Sequence, residues 1–257
     1  MKEKETFLTK YLKSKIISLG PLSVASFMNE SLLNPEYGYY YKERSKEKDI
    51  FGEKGDFITN PEISQIYSEL IGIWTITQWK NLGEPKKFRI IELGPGKGTL
   101  MKDLIKTSSK YDNFKNSIES IHLIDASPNL MKQQIKNICD IDVKSNLDTN
   151  TNEIFKSTTK SGTKISWHGS LEDVPNDIPT IIIAHEFFDA LPVYQFEYTK
   201  RGWSEVLIDF DDSNESEYHF KYVLAPSPSI ALRTLQHLID QPEEVGTRIE
   251  VNLEKKF

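Results

Sequence analysis

The sequence predicts an α/β protein built on a parallel sheet, and three observations carry that expectation. Phe88, Ile90, Ile91 and Leu93 form a short apolar run that ends in the glycine turn Gly94-Pro95-Gly96-Lys97-Gly98 and feeds a helical pattern from Thr99. Two further runs, Ile121 to Asp125 (IHLID) and Thr180 to Ala184 (TIIIA), have the continuous apolar character of strands buried on both faces. Helical patterns alternate with these runs, as βαβ units require.

Composition narrows the class. A chain of 257 residues suits one large or two small domains. Its net charge of -6 gives no electrostatic footprint for nucleic acid and favours cationic partners. The single cysteine, Cys139, excludes an internal disulfide and fits a reducing compartment. No apolar run approaches the roughly 20 residues that span a bilayer. The N-terminal MKEKETFLTKYLKSK has no apolar signal core, and Glu3 and Glu5 count against a transit peptide. No metal-ligand cluster is expected.

In chain order, Leu8, Tyr11, Leu12 and Ile16 recur at helical spacing up to Gly20-Pro21. A second helix follows, capped by Ser23, with Val24, Phe27, Met28 and Leu32 inward. A charged loop over 42–49 precedes GDFITNPEISQIYSELIGIW, read as a helix with Asn60 as N-cap, Pro61 at its first position and Ile63, Ile66, Tyr67, Leu70 and Trp74 as its buried stripe. That leaves Asp56, Thr59, Glu62 and Gln65 as a polar cluster at its entrance, either capping residues or a ligand-facing set.

Beyond the glycine turn, Leu100, Met101, Leu104 and Ile105 predict a helix and 108–117 an inserted loop. Ser127-Pro128 opens another helix, 141–163 is polar enough to be a loop, and Lys164 to Trp167 is a short strand. Gly169 to Val174, with Ser170 and Leu171, is a loop either placed to reach an adenine or a simple turn. TIIIA delivers His185-Glu186-Phe187-Phe188-Asp189 to the carboxyl end of the sheet, where α/β proteins bind ligands. A helical turn there would put Glu186 and Asp189 on one side; His185 reads equally as a satisfied loop residue. A hairpin around Lys200-Arg201-Gly202, a helix near 230–239 and a strand over 248–253 complete the pattern.

The glycine turn restricts its ligand. Gly94, Gly96 and Gly98 are spaced G-x-G-x-G rather than the dinucleotide G-x-G-x-x-G, and Lys97 is followed by Gly98 rather than the Ser or Thr of a phosphate loop. Glu92, two residues before the first glycine, repels phosphate. A ligand with ribose hydroxyls, a positive end and no phosphate fits, which describes S-adenosylmethionine. Asp125, ending the next strand, is the ribose candidate, although it lies further from Gly94 than the roughly 20 residues of a dinucleotide site. The same residues also suit an ordinary strand-turn-helix corner.

The blocks GPLSVASFM, NPEYGYY, GEKGDFITNPEISQIYSELIGIW, IIELGPGKGTL, SGTKISWHGSLEDVP and AHEFFDALPVYQFEYTKRGWSEV resemble, in order, the MidA-like S-adenosylmethionine-dependent methyltransferases. The mitochondrial members of that family are arginine methyltransferases that assist assembly of respiratory complex I. The resemblance implies a Rossmann-like class I methyltransferase sheet with an N-terminal helical cap: residues 1–80 as cap and cofactor cover, 81–257 as the methyltransferase domain with a hairpin insertion near 193–224. It places Glu92, Gly94, Gly96 and Gly98 on the methionine side of the cofactor, Asp125 on its ribose, Asp56, Thr59, Pro61 and Glu62 over it, and Glu186 and Asp189 beside the substrate. It implies a matrix location and, as substrate, an arginine of the 49-kilodalton complex I subunit. Family members continue past the position of residues 248–253, so the sheet is expected to stop short on its C-terminal side, with one edge of the TIIIA strand unpaired. Two other readings are a non-catalytic assembly chaperone and, with least support, a nicotinamide oxidoreductase. AHEFF in place of Asn-Pro-Pro-aromatic counts against a nucleobase methylase.

Overall fold

The structure is a computed structural model and describes residues 4–40, 58–144, 147–148, 150–213, 218–240, 242 and 244–252. In chain order the elements are α1 (Phe7–Leu19), β1 (Leu22–Ser23), α2 (Val24–Leu33), α3 (Asn60–Ile63), α4 (Gln65–Asn81), β2 (Phe88–Leu93), α5 (Thr99–Ser108), α6 (Asp112–Ser117), β3 (Ile118–Ile124), α7 (Pro128–Cys139), β4 (Phe155–Thr158), β5 (Lys164–His168), β6 (Thr180–Ala184), β7 (Tyr194–Thr199), β8 (Gly202–Phe210), β9 (Phe220–Leu224), α8 (Ile230–Leu235) and β10 (Arg248–Val251). Two compact units form: Met1–Lys42 with Ala190–Phe257, and Glu43–Asp189. They do not follow a cut near residue 80, because α4 runs across that point and packs within the second unit. No helix among the described residues is long and apolar enough to cross a membrane.

The Glu43–Asp189 unit is a five-stranded sheet in the order β4-β5-β3-β2-β6, parallel except for β4. Successive residues of a strand point to opposite faces, so Phe88 and Ile90, Ile121 and Leu123, Ile165 and Trp167, and Ile181 and Ile183 share one core with Leu100, Met101 and Leu104 of α5 and Met131, Ile135 and Ile138 of α7. Ile91, Leu93 and Ile124 enter a smaller cluster with Val174, joined by Leu171, Ala184 and Phe187. Among the described residues β6 pairs with β2 alone, so its other edge is open, and Ile182 is 46% exposed. An open edge on this strand is what the sequence leads one to expect.

Several local expectations give way here. The 108–117 stretch contains helix α6, and the polar 141–163 segment contributes β4, an antiparallel edge strand whose alternating half-buried residues pair with β5. Ser64, extended at φ -150 and ψ 124, splits the expected long helix into α3 and α4, and the N-cap of α3 is Thr59 rather than Asn60. The stripe assigned to α4 faces the wrong way: Ile63, Ile66, Leu70 and Trp74 are exposed, and of that set Tyr67 is the one packed on the core. Ser68, Gly72, Thr75, Ile76 and Trp79 are buried instead. Small residues win the buried side because α4 lies close on α5: a Cβ added at Gly72 would sit 3.1 Å from Thr107 Cβ. Gly72→Leu is therefore expected to cost about 1–3 kcal/mol by overpacking this contact, seen as a lower thermal midpoint; an unchanged midpoint would show slack between the two helices.

The other unit is also five-stranded. β7 and β8 form the expected hairpin, turning at Gly202 (φ 97), while β1 and β9 pair with β8 and β10 pairs with β7. Leu12, Ile16 and Leu22 form one cluster of this unit, Val24, Val206 and Ile208 a second, and Phe196, Leu232 and Leu235 a third.

Candidate cofactor site

Parallel register aligns the strand ends on which the site depends. Leu93 stands opposite Ile124 on one side and Ala184 on the other, so the glycine turn, Asp125 and His185 leave the sheet side by side. Gly94, Gly96 and Gly98 all take left-handed φ angles of 61, 55 and 79, which a side chain would strain. At Gly94 a Cβ would also come within 2.8 Å of the Phe187 ring. Gly98 N–H donates to Pro95 O, closing the turn before α5 begins.

Two acids flank this turn. Glu92 is 3% exposed, and its Oε2 has no hydrogen-bond partner among the described residues. Burial first, then the charge of Asp125, pushes its pKa up to about 8. Asp125 is pushed up to about 6 by burial, against the pull of its hydrogen bonds with the Ser127 and Ala126 backbone and with Gln134. Its Oδ1 accepts from Ser127 N–H at 2.8 Å and its Oδ2 from Gln134 Nε2 at 2.7 Å. With two acids in this position, the turn suits hydroxyl donors and a cationic group and opposes phosphate.

Gln134 is one of two residues here that sequence reasoning missed. Fully buried on α7, it donates to Asp125 and to Gly96 O at 2.9 Å, and it accepts from Trp167 Nε1 at 3.0 Å. It thus ties the turn to the end of β3. The available signal was a polar side chain inside the apolar stripe Leu130, Met131, Ile135, Ile138. Phe187, against Gly94, was missed as well.

Of the expected covering residues, Asp56 lies outside the described residues. Thr59 stands at the N-cap position of α3 with no side-chain capping bond among the described residues, Pro61 is buried in it, and Glu62 accepts a hydrogen bond from Thr99 Oγ1, which brings α3 to the start of α5. Gln65 turns away to donate to Glu69. Ser170 is exposed and accepts from Glu172 N–H, while Leu171 is half-buried in the cluster under the strand ends. At the end of β6, Glu186 and Asp189 are both exposed, but no helical turn unites them: Glu186 sits at φ 51 before a short 3-10 turn over Phe188–Ala190. A non-glycine residue in that region is strained, and such strain clusters at functional sites. His185 packs its ring 5.2 Å from Tyr67, with Nε2 3.8 Å from Glu186 Oε1.

A parallel sheet with a left-handed glycine turn and acids at the ends of β2 and β3 defines a Rossmann-like protein for a phosphate-free nucleoside cofactor. The chain belongs to the S-adenosyl-L-methionine-dependent methyltransferase family whose model matches residues 70–256. It is 41% identical over 256 residues to the mitochondrial protein arginine methyltransferase NDUFAF7 homolog of Drosophila melanogaster, covering 95% of this chain and 56% of that one. To mitochondrial protein arginine methyltransferase NDUFAF7 of Homo sapiens it is 42% identical, covering 96% and 53%. The chain thus spans about half the length of these curated relatives. A crystal structure of a COG1565 superfamily member from Burkholderia thailandensis, bound to S-adenosyl-homocysteine, superposes with a TM-score of 0.68 at 19% identity, covering 98% of this chain and 59% of that one. That likeness supports the fold. The family's cofactor fits the residues present: the orphaned Glu92 oxygen suits a positive group, Asp125 suits ribose hydroxyls, and the glycines leave room for close approach.

Proposed function

We propose that this chain binds S-adenosylmethionine at the glycine turn and takes part in methylating an arginine of a protein, in mitochondria, as the names of its relatives suggest. The observation that carries the cofactor is the buried Glu92 oxygen that has no partner among the described residues, close enough to Asp125 for the two acids to interact. Glu92, Gly94, Gly96 and Gly98 would take its methionine side and Asp125 its ribose. Thr59, Pro61 and Glu62, with Asp56, would cover it, and Ser170 and Leu171 would lie near the adenine. The acceptor implied by the sequence resemblance is an arginine of the 49-kilodalton-type complex I subunit.

Transfer breaks the sulfur–methyl bond as a nitrogen–methyl bond forms, and the acceptor nitrogen gives its proton to a carboxylate or water. A guanidinium is protonated and delocalised, so positioning and desolvation supply most of the gain. Glu186 is the first choice to pair with it and aim one nitrogen, Asp189 the second. Mass spectrometry of the purified subunit after incubation with protein and cofactor tests this. A methylated arginine is expected, with Glu186→Gln lowering the yield at least about tenfold while calorimetric cofactor binding stays unchanged. Cofactor binding together with an unmethylated but bound subunit would favour the chaperone reading, to which the exposure of both Glu186 and Asp189 lends support.

A further inference from the structure

A second polar feature lies in the other unit. Between α8 and the sheet face of β7 and β8 is a cavity of about 370 Å³ whose lining includes Glu205, Ser229, Ser23, Tyr194, Leu207 and Ile230. None of the glycine-turn residues, and neither Glu186 nor Asp189, lines it. We infer that this cavity is a docking site for a guanidinium, the head group of an arginine side chain on a protein partner, with Glu205 as its anion.

Glu205 is a buried carboxylate, 3% exposed, on a strand whose neighbours Ser204 and Val206 are also buried. Burial raises its pKa, and the one group among the described residues that draws it back is the Ser229 hydroxyl. That hydroxyl also caps α8, its oxygen accepting from Leu232 N–H at 3.1 Å while its hydrogen serves Glu205. A buried carboxylate normally has a countercharge or several donors; among the described residues this one draws on the Ser229 hydroxyl, with the cavity beside it.

The walls decide which cation fits. Leu207, Ile230 and the Tyr194 ring are mostly apolar surface, costly for a strongly hydrated ammonium. A guanidinium is weakly hydrated, stacks on aromatic faces and meets a carboxylate through two parallel N–H donors. The pocket, of about 370 Å³, opens to solvent, so a side chain carried by a partner can enter it from outside. The net charge of -6 draws a basic segment toward the chain.

The test uses the full chain, isotope-labelled for NMR, titrated with N-acetyl-arginine methylamide and with its citrulline and lysine counterparts, without cofactor. Citrulline is the neutral isostere of arginine. Saturable shifts of the Ser23, Leu207 and Ala231 amides are expected with the arginine compound, with at least tenfold weaker response to the other two. Glu205→Gln keeps volume and the contact with Ser229 and is expected to erase that preference. Thr234→Trp, an exposed position of α8 lining the same cavity, is expected to block binding without touching the carboxylate. Equal response to citrulline, equal response to lysine, undiminished binding by Glu205→Gln, or no shift at these amides would overturn the proposal. Because no cofactor is present, failure of the methyl-transfer reading leaves this result untouched.

Discussion

Glu92→Gln is expected to melt above the wild type at pH 8 and to bind the cofactor more weakly. The stability effect follows from linkage. Glu92 titrates near 8 in the folded chain against 4.5 as a free side chain, so the fold holds a proton that the unfolded chain has already released. The wild type therefore loses this share of its stability as pH rises from about 4.5 to about 8, and the variant, which lacks the Glu92 carboxyl but keeps Asp125, loses only what its other groups contribute. The gap between the two should be small at pH 4.5, widen steadily, and level off above 8 at no more than about 5 kcal/mol. Thermal melts across that range read it directly. Binding moves the other way: the ionised carboxylate is the partner for a positive ligand, so wild-type affinity should rise between pH 6.5 and 8 while that of Glu92→Gln stays flat and lower, by about tenfold. A variant whose stability tracks the wild type at every pH would place Glu92 in contact with water or a cation.

Gln134→Leu is expected to have the next largest effect. It leaves the Trp167 N–H buried without an acceptor and removes the donor to both Gly96 O and Asp125. An unsatisfied buried donor costs about 1–3 kcal/mol and each lost bond adds to it, so a fall of about 2–4 kcal/mol in unfolding free energy is expected by denaturant titration. Cofactor affinity should fall too, since Asp125 loses the bond that fixes its second oxygen. Normal affinity with reduced stability would confine Gln134 to packing.

The legible parts of this chain are those governed by local chemistry. The glycine turn demands positive φ wherever it occurs, and an apolar strand ending in Asp125 needs no distant information to be read. The register that sets Gly94, Asp125 and His185 side by side follows once three parallel strands are recognised. What escaped depends on a partner surface. In α4, Ile66, Leu70 and Trp74 satisfy the helical period as well as any core stripe, yet the side chosen by packing is Ser68, Gly72 and Thr75, because α5 comes close there. β4 was hidden because an edge strand needs only half its residues apolar, and Phe155–Thr158 lies in a polar stretch. The pairing of Glu186 with Asp189 assumed a regular turn; a left-handed Glu186 cannot be inferred from composition. Gln134 was visible as an anomaly, but its three partners come from β3, the glycine turn and β5.

The central claim is that the glycine turn, framed by Glu92 and Asp125, holds S-adenosylmethionine. Isothermal titration of the full chain with S-adenosyl-homocysteine, beside Gly96→Val and Asp125→Ala, tests it most directly. The account expects one saturable site in the wild type, lost in both variants with the fold intact by circular dichroism. No saturable heat in the wild type, or undiminished binding by both variants, would contradict it.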